Sequence, residues 1–123
     1  MKYRAALASF DGQYVDQHFG HAQKYYIYEF DSGSNSCGFV EKRFVDARCE
    51  CNLGIEDAFE GILGNLRDVS ALIISRIGKG AAEVVEGRGY VIYESASAIN
   101  DVLESIKNNR LYEEDKWREI SMS

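Results

Sequence analysis

The residues best equipped for chemistry fall in a few short stretches. Both histidines of the chain lie in His18-Phe19-Gly20-His21. Imidazole is a good ligand for iron, zinc and related metals, and Gly20 allows a tight turn between the two rings. The same spacing also suits a capping or hydrogen-bonding pair on a loop. A second stretch is Cys49-Glu50-Cys51. Its spacing is not that of a zinc knuckle, but thiolates hold iron–sulfur clusters, and Cys51 stands just before an expected helix start, where the dipole favours a thiolate. Two half-buried thiols without a role fit equally well. Third, Gly78-Lys79-Gly80 follows an apolar run and opens a helix, an amide-rich turn suited to anions or simply a tight connection. Asp11-Gly12 is a turn signal at the end of the first apolar run.

The elements that must position these residues read as β-β-β-α-β-α-β-α. Tyr3 to Phe10 predicts a central strand, because small and apolar residues occupy both of its faces. The loop Gln13 to His21 follows, and then Gln23 to Phe30 alternates as a second strand. Asp31 to Ser36 is a polar hairpin connection. Phe39 to Val45 returns as a third strand, placed at an edge by Glu41, Lys42 and Arg43. The segment Asp46 to Gly54 carries Cys49 and Cys51. A helix starting near Asn52 then buries one stripe of Ile55, Ala58, Phe59, Ile62, Leu63 and Leu66. Val69 to Ile74 predicts a buried parallel strand. A short helix runs through Val84 and Val85 to Gly87-Arg88-Gly89, followed by a strand over Tyr90 to Tyr93. Ile99, Val102, Leu103 and Ile106 mark a further helix, interrupted at Asn108-Asn109, with a last helical segment over Leu111 to Ile120.

Short turns between the first three strands predict an antiparallel meander, and right-handed crossovers add the last two strands in parallel. The expected fold is α/β: a ribonuclease-H-like three-layer arrangement around a mixed five-stranded sheet of order 3-2-1-4-5, with strand 2 antiparallel. In that topology the loops leaving strands one, three and four emerge at one edge. Strands one and three stand only about 10 Å apart across strand two. The histidine loop, the Cys49–Cys51 segment and the turn from Arg76 to Gly80 are thereby expected around one pocket.

Composition narrows the function. The 123 residues carry a formal charge of -6, with 46% hydrophobic and 28% charged residues, as in an ordinary globular domain. No Lys/Arg cluster offers the basic face that phosphate binding needs, so nucleic acid and anionic membrane are not expected partners. The start of the chain lacks the apolar core of a signal peptide. No apolar stretch is long enough to span a bilayer. With three cysteines, reduced thiols in the cytoplasm are expected rather than a disulfide framework. Cys37, beside the hairpin at the opposite edge, is read as structural. Tyr25, Tyr26 and Tyr28 are read as strand packing, and Glu113-Glu114-Asp115 as a solvated face. Trp117 and Leu111 cover either the sheet or a partner subunit.

Three segments together resemble the dinitrogenase iron–molybdenum cofactor biosynthesis family, which includes the NifX-like carriers and the C-terminal domain of NifB-like proteins. They are Ala8 to Gly12, Val15-Asp-Gln-His-Phe-Gly-His-Ala22 and Tyr25 to Glu29, continued by Ile77 to Ala81 and Gly89 to Tyr93. The resemblance covers about residues 3–107, leaving 108–123 as a C-terminal helical extension of a single cofactor-binding domain, 1–123. It implies a non-enzymatic carrier that binds iron–molybdenum cofactor or an iron–sulfur precursor and exchanges it with cofactor-assembly proteins, as a monomer or weak homodimer. By resemblance His18 and His21 lead the metal ligands, with Cys49 and Cys51 behind them, and Asp11, Gly12, Phe19, Gly20, Gly78 and Gly80 complete the cofactor-binding set. With no radical-chemistry domain in the chain, a stand-alone carrier is expected, and its cofactor need not contain molybdenum.

Two other classes compete. A metal-dependent nuclease or phosphotransferase on the same fold needs several carboxylates around two metals. Asp11 could begin such a set, but Ser75 and Arg76 stand where a further acid is wanted. A cofactor-free regulatory or scaffold module would use a sheet edge or the last helix to bind a partner.

Overall fold

The structure, a computed structural model, describes residues 1–45 and 61–119. Its strands are β1 (Lys2–Ala8), β2 (Lys24–Asp31), β3 (Ser36–Phe44), β4 (Ala71–Ile74) and β5 (Val91–Glu94). The helices described in full are α1 (Lys79–Gly87), α2 (Ile99–Asn109) and the short α3 (Leu111–Glu114). Residues 61–63 are also helical.

The sheet has the order β3-β2-β1-β4-β5. β2 runs antiparallel to β1 and β3, while β4 and β5 add in parallel. This is the expected mixed sheet. In β1, Ala5, Ala6, Leu7 and Ala8 are all fully buried, because both faces of the strand are covered. On one face Ala6, Ala8, Ile27, Leu72 and Ile74 pack under Ile62, Leu63, Leu66 and Val85. On the other, Tyr3, Ala5, Leu7, Phe30 and Ile73 pack under Ile99, Val102, Ile106, Tyr112 and Trp117. The stripe residues Ile62, Leu63 and Leu66 thus bury as their spacing predicts; Ile55, Ala58 and Phe59 lie outside the described residues.

Several boundaries differ from expectation. β1 stops at Ala8 rather than Phe10, because side chains take over its backbone donors. The Phe10 amide donates to Asp16 Oδ1 at 3.0 Å and the Gly12 amide to Ser9 Oγ at 2.9 Å, which ends the ladder. α2 runs through Asn108-Asn109 and breaks instead at Arg110, whose φ of 46° is left-handed. The last helical segment is short, since Lys116 also holds a positive φ of 55°. Trp117 then folds back on the sheet, edge-to-face against Phe30 at 5.7 Å.

An ion-pair network ties the sheet to the segment before β4. Arg43 clamps Asp68 with two bonds of 2.6 and 2.7 Å, and Arg4 bridges Asp68 at 2.6 Å and Glu29 at 2.9 Å. The hydrogen bonds from Arg43 hold the Asp68 carboxyl down to about pKa 2.

Candidate functional site

The loop between β1 and β2 carries the histidines, and it runs across the carboxyl ends of β4 and β5 before returning. Its first half pairs with the chain leaving β5: the Val15 amide donates to the Ser97 carbonyl at 3.0 Å, the Ile99 amide donates to Gln13 at 2.8 Å, and Tyr14 bridges Ala98. Its second half pairs with the chain leaving β4. The Ser75 amide donates to Gln17 at 3.0 Å, the Phe19 amide donates to Arg76 at 2.9 Å, and His18 forms a parallel bridge with Arg76.

These pairings exist because the loop is braced from inside. Asp11 is exposed, and its carboxylate accepts the Gln13 amide at 2.9 Å, a bond that lowers its pKa. Gly12 has φ +82°, and a Cβ there would stand 2.8 Å from the Tyr26 ring. Phe19 is 7% exposed and anchors the loop in the core beneath α1. Around it the chain turns tightly: the His21 and Ala22 amides both donate to the His18 carbonyl, at 3.1 and 3.0 Å. Gly20 supplies the left-handed residue of that turn, with φ +92°. His18 and His21 are both exposed. One buried anchor thus presents two imidazoles to solvent on a single turn.

Beside this turn lies the exit of β4. Arg76 is exposed, and Ser75 Oγ is buried without a hydrogen-bond partner. Gly78 precedes α1 in extended conformation, with no side chain capping the helix. The first amides of α1 therefore lack a protein acceptor from a cap and favour an anion. Gly78 and Gly80 are exposed, and a Cβ at either would meet nothing within 4 Å, so openness rather than steric need marks these two glycines.

Among the sequence-expected residues, the fold brings His18, Phe19, Gly20 and His21 onto one turn and joins that turn to the strand leading into Gly78 and Gly80. Asp11 and Gly12 belong to the other half of the loop, beside Ala98 and Ile99, where a surface cleft of about 270 Å³ opens. Cys49 and Cys51 lie outside the described residues. Cys37 of β3 pairs with Phe30 of β2, and burial pushes its thiol up to about pKa 11, which keeps it protonated at neutral pH. Two features escaped the sequence reading. Arg76 is a backbone partner of His18, and the β5 exit at 95–98 reaches the same edge. The first could only have been found from the register of two distant loops. The second was available, because β5 is parallel to β4 and its outgoing loop must share that edge. Among the described residues, no three His, Cys, Asp or Glu side chains gather closely enough to hold a metal ion. No helix among them is long and apolar enough to cross a membrane.

Comparison with known proteins adds three findings. The family described as dinitrogenase iron-molybdenum cofactor matches residues 1–109. FeMo cofactor biosynthesis protein NifB of Herbaspirillum seropedicae is 38% identical over 64 residues, 52% of this chain and 12% of that protein. NifB of Frankia alni is 36% identical over 90 residues, 68% of this chain and 17% of that protein. The chain thus spans less than a fifth of the length of these curated relatives. Among solved structures, PH0822 superposes with a TM-score of 0.66 at 17% identity, covering 98% of this chain and 97% of that one. A Methanocaldococcus jannaschii protein assigned provisionally as a dinitrogenase superposes with a TM-score of 0.54 at 16% identity, over 98% and 97% of the two chains. At such identities these two structures speak for the fold alone.

Proposed function

The chain belongs to the dinitrogenase iron-molybdenum cofactor family, and from that premise we propose that it is a carrier of a metal–sulfur cluster, iron–molybdenum cofactor or an iron–sulfur precursor, without catalytic activity of its own. The observation that carries the proposal is the backbone pairing of His18 and Phe19 with Arg76. It joins two exposed imidazoles to a guanidinium and an uncapped helix start. Clusters of this class are anionic and bind nitrogen or sulfur ligands. His18 and His21 would ligate the cluster, while Arg76 and the first amides of α1 would balance its charge. An exposed site with few protein ligands suits cargo that must leave again, toward an assembly protein that receives it.

The fold also argues against the nuclease alternative, because the β4 exit supplies Ser75 and Arg76 where a two-metal site needs carboxylates. Anaerobic titration of the apo-protein with a synthetic iron–sulfur cluster, and separately with extracted iron–molybdenum cofactor, tests the reading by absorption and EPR. Stoichiometric binding lost in a His18→Ala/His21→Ala variant is the expected result. Binding that persists in the variant would move the ligands to Cys49 and Cys51, and no binding of either cofactor would end the carrier reading.

A further inference from the structure

Beyond the reach of α2, the same face of β2 and β3 carries an unexplained cluster of aromatic rings. Phe10, Phe39 and Phe44 are 63%, 56% and 66% exposed, which is unusual for residues of this size on a folded surface. Side chains between them link the three. In the β2–β3 register Tyr28 lies opposite Phe39, Tyr26 opposite Lys42, and Lys24 opposite Phe44, so all six side chains share one face. Phe39 contacts Tyr26 and Tyr28 with ring centres at 6.2 and 5.5 Å.

Among the described residues of β2 and β3, the charged side chains on this face are lysines. Lys24 Nζ stands 4.2 Å over the Phe10 ring and 6.0 Å from that of Phe44, and Lys42 Nζ stands 5.4 Å from Phe44. Neither lysine is paired with a carboxylate among the described residues. The acids of the same strands turn to the opposite face, where Glu29 binds Arg4 and Glu41 binds Arg43. A chain of net charge -6 thus keeps, among the described residues of these two strands, a cationic, aromatic patch.

We infer that this face of β2 and β3 is a docking surface for an acidic protein segment with apolar side chains. The rings supply apolar area, and the two ammonium groups select acidic partners by charge complementarity. A second copy of this chain is a poorer occupant. Seating an acidic face on this cationic one is a heterologous contact that leaves the same two surfaces free at each end, and so propagates rather than closes. The patch borders the histidine loop, since Lys24 Nζ donates to the Phe10 carbonyl at 3.3 Å. The inference does not depend on cluster binding, and its test uses no cluster.

The test is amide chemical-shift mapping of the full chain with a short synthetic peptide of glutamate and leucine. Its companions are a lysine–leucine peptide, oligothymidylate, and a dilution series of the protein alone. The expected result is saturable shifts on β2 and β3 with the acidic peptide only. That affinity should fall by about tenfold or more in Lys24→Glu/Lys42→Glu, and on raising salt. Phe39→Ser/Phe44→Ser should abolish it while the remaining amide spectrum keeps its dispersion. Binding of oligothymidylate in place of the acidic peptide would make this a nucleic-acid face and overturn the inference. Concentration-dependent shifts of the same amides without peptide would assign the face to a second copy, and silence with every probe would leave the patch without a ligand; either result overturns it too.

Discussion

Gly12 and Gly20 hold similar left-handed backbones, φ +82° and +92°, yet their surroundings differ. A methyl group at Gly12 would press on the Tyr26 ring at 2.8 Å, whereas one at Gly20 would meet nothing within 4 Å. Gly20→Ala should therefore cost only the backbone penalty, about 1 kcal/mol. Gly12→Ala adds a steric overlap that displaces either the loop or the ring, for a total of about 2–3 kcal/mol. Urea unfolding of the two variants separates these terms, and equal losses would mean that the Gly12–Tyr26 approach carries no energy. The site depends on the same distinction. Gly12 presses the first half of the loop onto β2, while Gly20 only shapes the turn between the imidazoles. Both glycines were legible as turn residues in the sequence. Which of them has a packing role was not, because that depends on Tyr26, fourteen positions away from Gly12 and across a strand pair.

At the scale of elements, the family match ends at residue 109, but the core does not. Tyr112 is 1% exposed and Trp117 4%, and together they seal Tyr3 and Phe30. Arg110 donates to the Ser32 carbonyl at 2.8 Å, and Tyr112 Oη hydrogen-bonds Asn35. The segment after α2 is thereby strapped to the β2–β3 turn. Removing everything after Asn109 would expose a large aromatic surface, so the truncated chain should lose at least about 3 kcal/mol, as Trp117→Ala should by itself. Urea midpoints followed by far-ultraviolet circular dichroism, which needs no tryptophan, provide the measurement; unchanged stability of the truncated chain would show the strap to be ornamental. The strand order could be deduced before the structure, because a three-strand meander followed by two right-handed crossovers leaves few arrangements. The burial of Trp117 could not. Its choice between sheet and partner turns on left-handed residues at Arg110 and Lys116, types with no sequence preference for that conformation. For the same reason the pairing of His18 with Arg76 was invisible, since a loop crossing strand ends leaves no periodic signal.

Across the whole molecule, Asp68 joins β1 through Arg4 and β3 through Arg43 to the chain entering β4. Its pKa falls from the ordinary 3.8 to about 2, chiefly through the hydrogen bonds from Arg43. A depressed carboxylate stabilises the fold in its ionised form. Its contribution is complete above the unfolded-state pKa and disappears as pH falls through the folded one. The shift alone would correspond to roughly 2 kcal/mol, but the Asp68 side chain is 32% exposed and solvent screens the pair, so about 1 kcal/mol is the expected share. Asp68→Asn should therefore be less stable than the parent protein at neutral pH, with the gap narrowing by about 1 kcal/mol as pH drops from about 5 to about 2. Urea unfolding followed at several pH values through that window measures the gap. A difference independent of pH would mean that Asp68 acts through shape and neutral hydrogen bonding alone. In that case the ends of the sheet would be joined by packing on its two faces, and acid would have to open the molecule through some other carboxylate.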